Sequence, residues 1–257
     1  MAQQVRIFID KQESTNLTQT GIGFGVAEAL IENGAHVIIS SSKQNRVDDA
    51  ISRIQKAYPS AGKNASGYAY DMGNKDTLES NIVSLLDKCG KLDHMVWTAG
   101  DALAAAPLDK VDMDFAVQAG MVRFFGPLMM AKHAPKYLNP GPESSIVLTT
   151  GAVSEKPIPG WSAIAGFATG LQGLNRSLAL DLKPIRVNLV SPGAVDTELW
   201  AGMPEEARKK TFKSFEEKSL TGRVGQVTDV VESFLYLMKD RNVTGSMIST
   251  SAGGLLV

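Results

Sequence analysis

Short apolar, β-branched runs alternate with longer stretches of helical periodicity along the whole chain. Val5–Ile9, His36–Ser40, Gly67–Tyr70, Met95–Thr98, Ser145–Thr149 and Ile185–Val190 read as strands, and the tail ISTSAGGLLV holds a last short one. Between them lie helical patterns. The first opens at Gly21-Ile22-Gly23 and stops at Gly34. Others cover Val47–Ala57, Asp76–Cys89, Pro204–Lys218 and Asp229–Lys239, and Phe115–His133 reads as one long, Met-rich helix. In Gly166–Leu182 the apolar stripe is Leu171, Leu174, Leu178 and Leu182, and Pro184 ends it. Strands and helices alternating through short links predict an α/β fold: one doubly wound domain over residues 1–257, with about seven parallel strands flanked by helices.

Composition narrows the class. The 257 residues suit one such domain and are ample for a single large core. With 26 basic and 27 acidic residues the net charge is −1, so no basic excess argues for nucleic acid or a membrane surface. One cysteine, Cys89, excludes an internal disulfide. With His36, His94 and His133 it makes no metal-ligand spacing. No apolar run reaches the ~18 residues of a membrane span. MAQQVRIFIDKQ lacks the apolar stretch of a signal peptide. The expectation is a soluble, cytoplasmic protein with a small-molecule partner.

The chain is organised around residues 144–197, which read strand, loop, long helix, strand, loop. The closing RVNLVSPGAVDT and the layout before it resemble the catalytic segment of the short-chain dehydrogenase/reductases. The likeness covers nearly the whole chain. It implies a Rossmann fold, a nicotinamide cofactor, and a homo-oligomer paired through Phe115–His133 and Gly166–Leu182. The family's TGxxxGxG phosphate loop survives only in its second half, as Gly21-Ile22-Gly23, with Leu17 at the first Gly position and a longer span from Ile9. The glycines alone fit two roles equally: a reshaped phosphate loop at a helix N-terminus, or close packing of helix on sheet. Elsewhere the correspondence is fuller. Asp71-Met72 matches the adenine-side pair. Thr98-Ala99-Gly100 stands for Asn-Ala-Gly. Ser191-Pro192-Gly193, Val195 and Thr197 match the loop over nicotinamide and pyrophosphate. After the second strand comes Ser40-Ser41-Ser42-Lys43. Hydroxyls with a cation suit the 2′-phosphate of NADP, where an Asp would favour NAD.

The catalytic positions depart from the family. Its Tyr falls at Ile164 and its Lys at Ala168. Its Ser falls at Gly151, or at Thr150 with a one-residue slip, and its Asn at Arg123. Ile164 and Ala168 have no proton to give, so alcohol–ketone chemistry lacks its general acid. Candidates for the site are Arg123, a permanent cation with a planar fork of donors, the Thr150 hydroxyl, and Trp161 and Phe167, whose rings offer faces to a polycyclic or cationic guest. Each has a structural alternative: an ion pair of Arg123 with Asp101 or Glu155, a packed loop aromatic for Trp161, and core packing for Phe167.

Arg at the Asn position and a Trp ahead of the helix resemble a fungal group of these reductases acting on bridged indole alkaloids. That likeness implies NADPH-dependent reduction of a cyclic imine together with an intramolecular Diels–Alder closure. The group's acidic residue before the Trp is missing from Pro157-Ile158-Pro159-Gly160. Three readings follow: the imine reductase, a cofactor-free cyclase or isomerase using the pocket as a template, and a non-catalytic binding subunit.

Overall fold

The structure is a computed structural model. It describes the backbone of residues 6–9, and residues 21–100, 105–197, 200 and 202–257. Seven strands form one parallel sheet: β1 Arg6–Ile9, β2 Val37–Ser41, β3 Ala65–Ala69, β4 His94–Trp97, β5 Ser145–Thr149, β6 Arg186–Pro192 and β7 Met247–Thr250. Their order is β3-β2-β1-β4-β5-β6-β7, with every pairing parallel. The helices are α1 Ile22–Glu32, α2 Gln44–Ala57, α3 Leu78–Cys89, α4 Met113–Gly120, α5 Gly126–Tyr137, α6 Ser162–Asp181, α7 Glu205–Glu217 and α8 Val227–Lys239.

The continuous apolar runs are what a sheet covered on both faces requires. Successive side chains point to opposite faces, so each central strand feeds two cores. Met95, Trp97, Ile146, Leu148 and Leu189 face α3, α5 and α6. Val96, Val147 and Val190 face α1 and α8. Arg186, at the foot of β6, is buried and donates to Pro142 O at 2.6 Å, Leu237 O at 2.5 Å and Met238 O at 2.8 Å. The last two carbonyls end α8, where a cation is favoured. No helix among the described residues is long and apolar enough to cross a membrane.

The structure corrects several boundaries. The single helix expected over Phe115–His133 is α4, a five-residue π turn at Met121–Phe125, and α5. Apolar periodicity does not register one extra residue in a turn. The cause is tertiary. The buried Trp97 indole donates to Val122 O inside the turn at 3.0 Å, taking a carbonyl from the helical ladder. Helix α6 starts at Ser162, four residues ahead of expectation. Trp161 makes no side-chain cap there, so the sequence carried no start signal. Strand β3 begins at Ala65 rather than Gly67. It runs against β2, and a Cβ on Gly67 would meet Ile39 O at 2.5 Å. Leu17 and Asp101 lie outside the described residues, so the altered start of the phosphate loop does too.

Candidate functional site

In a doubly wound sheet ligands bind beyond the carboxyl ends of the strands, where the strand order reverses. Here that point lies between β1 and β4. Helix α1 begins beside it. Gly21 is its N-cap in extended conformation (φ −72°, ψ 166°), with no side chain capping the turn and no acidic residue in it. The first N–H groups of Ile22, Gly23 and Phe24 have no intrahelical acceptor, which leaves a donor cluster for an anion. Gly25, one turn on, packs closely: its missing Cβ leaves room for Val227 and Val231 of α8.

At the end of β2, Ser40 and Ser41 are buried, Ser42 is half-buried and Lys43 is exposed. The Ser40 hydroxyl has no hydrogen-bond partner among the described residues. Past β3, Asp71 is exposed and its carboxylate accepts from Gly73 N at 2.9 Å, while Met72 is a core residue. At the end of β4, Ala99 is buried, and the Arg123 guanidinium rests on Gly100. A Cβ there would come within 2.6 Å of Nη2. Glycine at 100 therefore makes the seat, and the π turn carries Arg123 to it. π turns of this kind recur at functional sites.

The other candidates separate. Thr150 donates its hydroxyl hydrogen to Ala168 O at 2.8 Å, so it retains only acceptor lone pairs for a guest. The expected hydroxyl is committed to the backbone of α6. Beside it Gly151 has open space: a Cβ would meet only Pro192 O, at 3.9 Å. Ile164 is 5% exposed and Ala168 half-buried. Trp161 is half-buried at the start of α6, its N–H on Ile158 O at 3.2 Å. Phe167 stands in a ring cluster with Phe124 (5.5 Å) and Phe125 (5.7 Å), over Gly120. Its ring packs α6 against the π turn, the contact that the packing alternative expects. Glu155 accepts from the buried Ser191 hydroxyl at 3.5 Å.

The loop after β6 is held tightly. Gly193 N–H donates to Thr250 O at 3.0 Å, and a Cβ on Gly193 would strike Ser251 Cα at 2.8 Å. Pro192 and Thr197 are buried, and Val195 joins the core on the α1–α8 side. Sequence reasoning missed the neighbouring wall. The Trp200 indole donates to Val195 O at 2.9 Å and packs edge-on against Phe212 (6.0 Å) and Phe215 (5.5 Å) of α7. Asp196 accepts from Arg208 at 2.6 Å. The available signal was the pair Phe212 and Phe215, three apart on a charged helix. Lys156 also reaches the tail, donating to Gly254 O at 3.1 Å and to Val257 O.

Among the described residues no His, Cys, Asp and Glu group could hold a metal ion. Cys89 is no nucleophile, since burial pushes its thiol up to about 12.

Residues 15–257 match the family model described as an SDR-like Rossmann domain. The short-chain dehydrogenase/reductase fsr5 of Gibberella fujikuroi is 43% identical over 242 residues, covering 92% of this chain and 91% of that one. The short-chain dehydrogenase/reductase malC of Malbranchea aurantiaca is 37% identical over 242 residues, with coverage of 92% and 91%. The solved structure of MalC reductase/Diels–Alderase from Malbranchea aurantiaca superposes with a TM-score of 0.90 at 36% identity, over 100% of this chain and 97% of that one. A small-chain dehydrogenase in complex with NADPH superposes at 0.79, with 25% identity and coverage of 99% and 100%. The chain belongs to the SDR-like Rossmann family of short-chain dehydrogenase/reductases.

Proposed function

We propose that this short-chain dehydrogenase/reductase is an NADPH-dependent reductase of a cyclic imine or iminium in secondary metabolism, coupled to an intramolecular Diels–Alder closure. One observation carries the reading. The turn of α6 where a ketone reductase of this family needs its acid and its cation presents Ile164 and Ala168, and the nearby Thr150 hydrogen is spent on Ala168 O. A ketone that accepts hydride becomes an alkoxide and needs a proton. An iminium, or an imine protonated by solvent before the transfer, becomes a neutral amine on accepting hydride and needs no proton from the protein.

The residues present fit the nucleotide. Helix α1 opens at Gly21 with the N–H groups of its first turn available to a pyrophosphate. Ser41, Ser42 and Lys43 supply hydroxyls and a cation for a 2′-phosphate. Two buried hydroxyls without partners among the described residues, Ser40 and Thr149, stand at the carboxyl ends of β2 and β5. The cofactor, when bound, supplies the hydride. The chain's own groups do the rest. Gly21, Ile22 and Gly23 bind the phosphates, with Asp71 and Met72 on the adenine side and Ala99 and Gly100 beside the sugar. Pro192, Gly193, Val195 and Thr197 close over the nicotinamide end. Arg123 stays protonated, so it holds a carbonyl or anionic oxygen of the substrate and gives no proton to it. Trp161 covers an aromatic ring of the same guest. The name of the MalC reductase/Diels–Alderase supports coupling to ring closure.

Titration with NADPH and NADH tests the cofactor, with micromolar preference for NADPH expected and reversed by Lys43→Asp. No binding of either nucleotide would leave a template cyclase as the reading. With bound NADPH, a polycyclic iminium should be reduced and simple ketones should not. Arg123→Ala should lower turnover by roughly 2–4 kcal/mol of transition-state stabilisation while circular dichroism stays unchanged. We also read the chain as a homo-oligomer, supported by Leu180 of α6 being 73% exposed. A monomer mass by light scattering at micromolar concentration counts against it.

A further inference from the structure

The loop from Gly151 to Trp161 leads from β5 into α6. Its first half is held by α6 itself. Ser154 is buried, its carbonyl accepts from the Thr169 hydroxyl at 2.9 Å, and its own hydroxyl accepts from Gln172 at 3.1 Å. The second half is different. Every residue from Glu155 to Gly160 is exposed. Pro157 and Pro159 have no N–H to offer, so this stretch can make few backbone bonds of its own. Within it Lys156 reaches across to the tail. Its ammonium donates to Gly254 O at 3.1 Å and to Val257 O.

The receiving turn, just past β7, is firmly built. Gly254 N–H donates to Ser251 O and Leu256 N–H to Gly253 O, each at 2.9 Å. Ala252 lies in the left-handed region at φ +53°, which a residue with a Cβ adopts only where its surroundings impose it. They do so here. Leu220 N–H donates to Ala252 O at 2.9 Å, and the Leu220 side chain fills the space where Gly253 lacks a Cβ. The turn also rests on the loop after β6. Thr250 O accepts from Gly193 N–H at 3.0 Å, and Ser251 Cα sits where a Cβ on Gly193 would be. Lys156 therefore joins an exposed stretch to a fixed body.

We propose that Lys156 is a positioning residue: by tying the exposed half of its loop to the turn after β7, it sets the place of Trp161 relative to the loop after β6 and so orients the flat apolar arm of the substrate. A bond from an ammonium to a carbonyl is stronger than one between neutral groups. The ammonium is exposed, so the bond adds little to global stability. Opening of an exposed loop costs little as well, and one such bond is a large share of that cost. The proposal rests on the placement of Trp161 in the substrate site, proposed above.

The test uses the full chain. Lys156→Met keeps the stem and loses the donors, while Lys156→Arg keeps a cation. Hydrogen exchange is read over residues 155–161 and 251–257, with β5 and α8 as references. Lys156→Met should raise exchange about fivefold in both segments together, the scale of one hydrogen bond, and leave the references unchanged. Lys156→Arg should stay close to wild type. Acrylamide quenching then reads Trp161. Lys156→Met should raise quenching in the native background and not in Trp161→Phe, where Trp97 and Trp200 remain as reporters. With NADPH and a polycyclic iminium, Lys156→Met should raise KM about fivefold at unchanged kcat, and should add nothing to Trp161→Ala. Wild-type exchange in Lys156→Met overturns the tie, and an equal rise in β5 and α8 replaces it with a general loss of stability. Unchanged quenching, or a KM effect that adds fully to that of Trp161→Ala, overturns the action through Trp161. Exchange and quenching need neither nucleotide nor substrate. Failure to reduce the iminium would overturn the redox reading, while those two measurements still decide the tie.

Discussion

Two helices border the candidate site, and they are held in opposite ways. Helix α6 is long and apolar toward the sheet. Leu171 and Leu178 are in the core, Phe167 is locked among Phe124 and Phe125, and Thr150 and Ser154 bond its middle turns. Helix α7 is charged, has no buried residue, and hangs on an ion pair and three rings. Position tolerance follows. Side chains on α6 are held by these neighbours, so α6 presents fixed chemistry. It presents Ile164 and Ala168, which are inert. Helix α7 buries none of its residues and packs on the loop after β6 through Phe212 and Phe215. The difference fits a site that positions and encloses its substrate and leaves the bond-making to cofactor and guest.

The largest effect should come from loosening the fixed wall. Phe167→Ala removes a ring wedged between α6 and the π turn and should cost roughly 3 kcal/mol, read from the urea midpoint. The same change at Phe212 on α7 should cost well below ~1 kcal/mol of global stability. If Phe212→Ala costs as much as Phe167→Ala, the contrast between the walls is lost. Next comes Gly120→Ala. Its methyl would lie 2.5 Å from the Phe167 ring, and overpacking should cost about 2 kcal/mol. An unchanged midpoint would mean that the ring moves freely. Thr150→Val keeps the shape but leaves Ala168 O without its donor, and about 1 kcal/mol is expected.

The smallest effect is a control on the fixed body. Asp229, at the start of α8, accepts from Arg223 at 2.7 and 2.9 Å and from Gln226 N–H at 2.9 Å. The Arg223 bond, followed by that from Gln226, holds its carboxyl below the ordinary 3.8. A depressed folded value means that the cap stabilises at pH above the ordinary value and is lost as pH falls through the lowered one. Asp229→Asn should flatten this part of the acid decline in thermal midpoint below about pH 4. An identical acid limb in both proteins would show that the cap contributes nothing to it.

What the sequence determined by itself is the alternation of elements, the doubly wound parallel sheet, and the vacancy of the proton-donating positions. These are local properties. A strand buried on both faces must be apolar throughout, a helix on a sheet must carry a stripe of period 3.6, and Ile164 and Ala168 lack protons in any fold. Gly21, the Ser41–Lys43 run and the Ser191–Gly193 loop were candidates for the same reason, since backbone freedom, hydroxyls and charge belong to the residue. What only the tertiary structure decided concerns contacts between residues distant in sequence. The π turn exists because Trp97, some twenty-five positions away, takes Val122 O. Arg123 reaches its seat because Gly100 lacks a Cβ. Thr150 loses its donor to Ala168 O. Phe167 carries the same apolar ring wherever it stands, and only the structure sets it against Phe124 and Phe125. The packing of α7 was hidden for a related reason. A charged amphipathic helix looks the same along the chain whatever it rests on, and only the structure sets Phe212 and Phe215 against Trp200.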